Sequence, residues 1–197
     1  MNTNTPPLLE AITRGDRKKL RELLDRKIVE IDRCFENGET PLILAISHGY
    51  TDIALLLIAR GADINLSNNK GISPLMAAGE ADNYDLFNLF IIKGADISLR
   101  DSQGENALHK TARLGHAKPV QLLLQKGLYP HTKSGYGQTP QELAQANGHK
   151  EVVSIFKNFK TTEQDKDLFT MDVESLEDEF DRLKFDVLLG PEIINKG

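Results

Sequence analysis

The residues most able to do chemistry are five histidines, one cysteine and a pair of closely spaced glycines. The histidines are His48, His109, His116, His131 and His149. A helical zinc site needs two of them at i, i+4 with a carboxylate nearby, and no pair has that spacing. Gly135-Tyr136-Gly137 has the look of a phosphate loop, but no Gly-Lys-Ser/Thr follows and no buried strand pattern precedes it. Cys34 is the sole cysteine, so neither an internal disulfide nor a cysteine-rich metal site can form. No neighbouring residue is placed by the sequence to activate its thiol. The expectation is therefore a non-enzymatic protein with no metal and no cofactor.

The glycines mean something else once the whole chain is laid out. Gly38-Glu39-Thr40-Pro41-Leu42 recurs 33 residues later as Gly71-Ile72-Ser73-Pro74-Leu75, then as Gly104-Glu105-Asn106-Ala107-Leu108-His109 and as Gly137-Gln138-Thr139-Pro140. The first three copies are followed 23 residues on by the next punctuation, seen as Gly61-Ala62-Asp63-Ile64-Asn65, Gly94-Ala95-Asp96-Ile97 and Gly127. A fixed period of this length announces a stack of small units that bury their faces against each other.

Within a unit the signals are helical. Thr40 precedes Pro41, a hydroxyl N-cap before a proline whose missing N–H costs nothing in the first turn. Leu42, Ala45 and Ile46 then follow the i, i+3, i+4 spacing, and Gly49 ends the helix. Ile53, Leu56 and Leu57 build a second helix, closed by Gly61. In the next unit Asp82-Asn83 stands where the inter-helix glycine should be, and both residue types tolerate left-handed backbone better than most. Residues 99–131 lose the proline, and Pro119 falls near the start of a second helix. Phe87 and Phe90 lie on another second helix, with Phe90 expected in the core.

Together these motifs resemble the ankyrin repeat over about residues 6–159. The resemblance implies an all-α solenoid of helix-turn-helix units with outward hairpin loops, in repeats of about 6–32, 33–65, 66–98, 99–131 and 132–159. The first and last are degenerate. The spacing Gly15 to Gly49 is 34, so one extra residue is expected in the Lys27–Phe35 connection. His109 matches the histidine of the family's Thr-Pro-Leu-His pattern, where the implied role is hydrogen bonding between neighbouring hairpins. The family also implies binding of a protein partner on the concave face of hairpin tips and first helices. Carried onto this chain, those positions are Glu36, Asn37, Glu39, Ser47 and His48, then Asn69, Lys70, Ile72 and Glu80. The next two units contribute Ser102, Gln103, Glu105, Arg113 and Leu114, then Tyr136, Gln138 and Asn147. Ile72, Leu114 and Tyr136 are the anchors to expect, because exposed apolar and aromatic groups carry most binding energy.

Charge divides the chain. Residues 160–197 hold 11 acidic and 5 basic residues, a net of −6, whereas the whole chain is at −5. No basic stripe favours nucleic acid, and no run approaches the ~20 apolar residues of a membrane span. The N-terminus lacks the basic and apolar runs of a secretory signal. A cytoplasmic monomer is expected. Residues 160–172 read as a polar linker, and Val173, Leu176, Phe180, Leu183 and Val187 as the apolar stripe of a helix over 173–189, stopped by Gly190-Pro191. That helix has three readings: a cap on the last repeat, a segment that docks on a partner, or an address. The acidic block Glu174–Glu179 resembles signals on bacterial type IV effectors, which makes an injected effector that captures a host protein the alternative function.

Overall fold

The computed structural model describes residues 6–159 except 28 and 37, so the predicted helix over 173–189 lies outside the described residues, as does Asn37. The chain divides into two compact units, with the boundary between Asn68 and Asn69. Among the described residues the structure is all helix, without strands.

The first unit contains α1 (Pro7–Thr13), α2 (Arg17–Asp25), α3 (Pro41–Ser47) and α4 (Thr51–Ala59). The second contains α5 (Pro74–Glu80), α6 (Tyr84–Ile92), α7 (Ala107–Leu114), α8 (Ala117–Gln125), α9 (Pro140–Ala146) and α10 (Lys150–Asn158). Consecutive helices pair as helix-turn-helix units. In the first unit α1 packs on α3 and α2 on α4; in the second α5 packs on α7, α7 on α9, α6 on α8 and α8 on α10.

The first helix of each pair starts where the sequence places its cap. Thr40, Ser73, Asn106 and Thr139 sit in extended backbone and accept a hydrogen bond from the N–H three residues on, at 3.2, 3.3, 3.2 and 3.3 Å. Each satisfies a donor that the helix itself cannot. Asn106 with His109, and Thr139 with Glu142, complete reciprocal capping boxes.

The pairs turn through one left-handed residue. Gly115 fills it in α7–α8 at φ +82°, and a Cβ there would stand 2.4 Å from Nδ1 of His149. Asp82 fills it in α5–α6 at φ +53°, as its substitution for glycine suggested, and Asn83 beside it caps α6. In the first repeat Lys27, at φ +51°, occupies the place that Gly61 holds in the second. From Lys27 to Gly38 is one residue more than from Gly61 to Gly71, which locates the extra residue.

Leucine, isoleucine and alanine form the cores, with Leu20, Ile53, Leu56 and Leu57 fully buried in the first unit and Leu75, Leu86 and Leu123 in the second. Both Phe87 and Phe90 are fully buried. With no tryptophan in the chain, these two rings are the largest fully buried side chains among the described residues.

Candidate functional site

The loops that lead into α3, α7 and α9 are tight turns. Within residues 35–39 the Phe35 N–H donates to the Glu39 carbonyl at 2.9 Å, and the Gly38 N–H back to Phe35 at 2.8 Å. Asp101 with Glu105 and Gly104, and Ser134 with Gln138 and Gly137, repeat this at 2.8–2.9 Å. Closing the turn on itself leaves the middle residues no inward direction, so Glu36, Ser102, Gln103 and Tyr136 project into solvent. In the second unit successive loops are also tied to one another. The Ser102 N–H donates to Lys70 at 2.8 Å and the Gly135 N–H to Gln103 at 2.7 Å. A Cβ on Gly135 would lie 2.7 Å from the Gln103 carbonyl, so glycine here permits close approach of two loops. That is the structural role of the sequence that had the look of a phosphate loop.

The positions expected to bind a partner divide into three groups. Exposed at the loops and helix ends are Glu36, Ser47, His48, Asn69, Lys70, Glu80, Ser102, Gln103, Leu114, Tyr136, Gln138 and Asn147. Half-buried are Glu39, Ile72 and Arg113; Glu39 accepts from the Asn68 amide at 3.1 Å. Glu105 alone is fully buried, at 0% exposure, and the expectation that it faces a partner is corrected. Its carboxylate turns inward to the Arg113 guanidinium and to Lys110 Nζ, the latter at 3.4 Å.

Lys110 gathers these groups. Its ammonium lies 2.7 Å from Asp101, 3.3 Å from Glu80 and 3.4 Å from Glu105. Burial, the largest influence, acts to lower its pKa, but the hydrogen bond it donates to Asp101 and the three negative charges outweigh it and the pKa is raised. Asp101 answers in mirror image: burial pushes its pKa up, and Lys110 together with the N–H groups of Glu105 and Gln103 holds it below the ordinary carboxylate value. The cluster ties α5 and the loop after α6 to α7.

The histidines serve the frame. His109 is fully buried, and burial lowers its pKa against the opposing pull of Glu105. Its Nδ1 takes part in the Asn106 cap, and the backbone of Thr132 and Gln138 in the following loop also acts on the ring. His149 Nε2 donates to the Arg113 carbonyl at 2.8 Å while the ring lies over Gly115. His116 Nδ1 sits 3.0 Å from Asp82. Among the described residues no three His, Cys, Asp or Glu side chains are placed to hold a metal, and no helix is long and apolar enough to cross a membrane.

Among the described residues three large hydrophobic side chains are exposed, all in the second unit: Leu114 at 44%, Tyr129 at 62% and Tyr136 at 72%. Tyr129 was not among the expected positions. The signal for it lay in the repeat itself, since Gly127-Leu128-Tyr129 replaces the Gly-Ala-Asp of Gly61-Ala62-Asp63 and Gly94-Ala95-Asp96. Its ring meets that of His131 edge-on, with centroids 5.4 Å apart.

The family model described as ankyrin repeats (3 copies) matches residues 1–68 and 75–167. Among curated proteins, the human ankyrin repeat domain-containing protein 35 is 40% identical over 67 residues, which are 34% of this chain and 7% of that protein. An ankyrin repeat-containing protein of Schizosaccharomyces pombe is 35% identical over 71 residues, 36% of this chain and 34% of its own length. An ankyrin repeat protein of fowlpox virus is 44% identical over 61 residues, 31% of this chain and 15% of its own. The chain thus spans about a third or less of the length of the relatives it matches. Repeats of this kind are protein–protein interaction modules. Paired helices, loop turns and matched sequence agree, and the chain belongs to the ankyrin-repeat family.

Proposed function

We propose that the protein is a non-enzymatic adaptor, a cytoplasmic monomer that binds a protein partner through the loop tips and first helices of its repeats. The observation that carries this is Tyr136, 72% exposed at a tip whose backbone is fixed by hydrogen bonds within its own loop and to the preceding one. A rigid aromatic loses little entropy when it is buried by a partner, which is what makes such residues effective anchors. Leu114, at the end of α7, adds a second exposed apolar group. Binding fits the chemistry better than catalysis does. The described groups with shifted pKa are engaged in caps, turns and ion pairs, apart from Tyr84, raised chiefly by burial, and His109, lowered chiefly by burial while it caps α7. The effector alternative rests on the acidic block after Asp172, outside the described residues, and no observation raises it above the adaptor reading.

The test compares partner recovery by the full chain and by a Leu114→Ala, Tyr136→Ala double variant in the same pull-down. Loss of one abundant partner from the variant, with its circular dichroism unchanged, is the expected result. Equal recovery by both proteins would overturn the assignment of these anchors.

A further inference from the structure

Helix α2 differs from its counterpart α4 on one flank. The two are offset by 34 residues, so Arg17, Arg21 and Leu24 in α2 stand where Thr51, Leu55 and Ile58 stand in α4. Leu55 and Ile58 are buried, and α4 packs against α2. In α2 the three residues follow i, i+4, i+7, so they share a face beside the buried Leu20 and Leu23. All three are half-buried. At the matching place on α8 Gln121 is exposed, so a neighbouring repeat does not have to cover this flank, and on α2 it combines two guanidinium groups with one leucine.

Its surroundings are basic. Residues 14–27 hold seven basic and three acidic side chains, a net of +4. A complementary occupant must bring an apolar stripe with carboxylates beside it. The stretch 173–189 has that pattern. Wound at 3.6 residues per turn, Val173, Leu176, Phe180, Leu183 and Val187 form one stripe, with Glu177 and Asp181 along one side and Glu179 and Asp186 along the other. It belongs to a tail of net charge −6. The 13 residues from Lys160 to Asp172 reach about 45 Å when extended, which gives the segment a long tether.

We propose that the acidic C-terminal segment 173–189 docks as an amphipathic helix on the Arg17–Arg21–Leu24 flank of α2, within the same molecule. Arg suits this role because its planar fork can hold a carboxylate while its stem covers an apolar neighbour. The contact would keep the segment from other partners until it is released.

Paramagnetic broadening in the full-length chain tests this. A nitroxide is placed on α2 by Lys18→Cys, or on α10 by Ser154→Cys, each with Cys34→Ser. The expected result is loss of most amide signal from residues 173–189 with the α2 label, little loss with the α10 label, and no change on dilution with unlabelled, diamagnetic protein. Arg17→Glu with Arg21→Glu should restore the signals, and adding Glu177→Lys with Asp181→Lys should broaden them again. The tail pair alone, which leaves the repeats untouched, should also restore them. Broadening from the α10 label only, broadening that dilution removes, or no broadening from either label would each overturn the proposal.

Discussion

Leu44 in α3 and Lys110 in α7 hold the same place in their repeats, 66 residues apart, and so do Phe35 and Asp101. In the first unit the pair is apolar, and both side chains are buried. In the second the pair is an ion pair at 2.7 Å, also buried, with Glu105 and Arg113 drawn in behind it. One backbone thus accepts either solution. The apolar pair gains from leaving water. The ionic pair must first recover the cost of taking charges out of water, and it recovers that only while every member is present. The repeat fixes which two places are buried and leaves their chemistry open.

The largest effect should come from breaking the ionic joint on one side. Lys110→Met keeps the volume and leaves Asp101 and Glu105 buried without their ammonium, at an expected cost of about 3–5 kcal/mol. Leu44→Ala removes apolar volume at the matching site and should cost about 2–5 kcal/mol. Denaturant unfolding measures both. A loss below about 1 kcal/mol for Lys110→Met would show that the cluster contributes nothing as an ion network.

Copying the first unit's solution sharpens the contrast. Asp101→Phe with Lys110→Leu installs the apolar pair in the second unit and leaves Glu105 to Arg113. Replacing a buried ion pair as a whole is often neutral or better, so this double variant should be more stable than Lys110→Met alone by about 2 kcal/mol or more. Asp101 also accepts the N–H groups of Gln103 and Glu105, both at 2.9 Å, and losing them sets an upper limit on the recovery.

How much of this was legible beforehand follows from the same comparison. The frame was: Gly38, Gly71, Gly104 and Gly137 mark the period, and Thr40, Ser73, Asn106 and Thr139 cap helices because a hydroxyl or amide there answers a local need visible in sequence. Glu105 was misplaced because its rank beside the loop glycine suggested an exposed tip. What turns it inward is Lys110, five residues on and past the start of a helix. Lys110 was not singled out at all, since the carboxylates that surround it come from α5, from a loop and from its own helix entry. Local chemistry is written in neighbouring letters, whereas convergence from three elements is not. Tyr129 lay between these cases, legible only by setting the repeats side by side.

Acidity should separate the two joints. The folded-state pKa of Asp101 is lowered, so its contribution is present above the unfolded value near 3.9 and is lost as pH falls through the folded value. The pKa of Lys110 is raised, so its contribution is present below about 10.4 and is lost as pH rises through the folded value. His109 is lowered by burial, so destabilisation begins earlier, as pH falls below about 6.5. Unfolding free energy should therefore form a plateau with both ends falling. In the Asp101→Phe, Lys110→Leu variant the alkaline loss should shrink and the acid loss should be left mainly to His109. Identical profiles for both proteins would remove the titrating role given to this pair.

The smallest effect tests the left-handed turns. Lys27 at φ +51° and Asp82 at φ +53° each occupy a position where sister repeats use glycine. Left-handed backbone costs a residue with a Cβ about 1–2 kcal/mol, from which the extra freedom of glycine in the unfolded chain subtracts up to about 1 kcal/mol. Lys27→Gly should therefore stabilise the protein slightly, by about 0.5 kcal/mol. Asp82→Gly relieves the same backbone but removes the carboxylate 3.0 Å from His116, and aspartate tolerates this conformation better than lysine does. Its gain should be near zero. If thermal unfolding finds Asp82→Gly the more stabilising of the two, the strain at these turns is set by the surrounding packing, and the identity of the residue that bears it matters little.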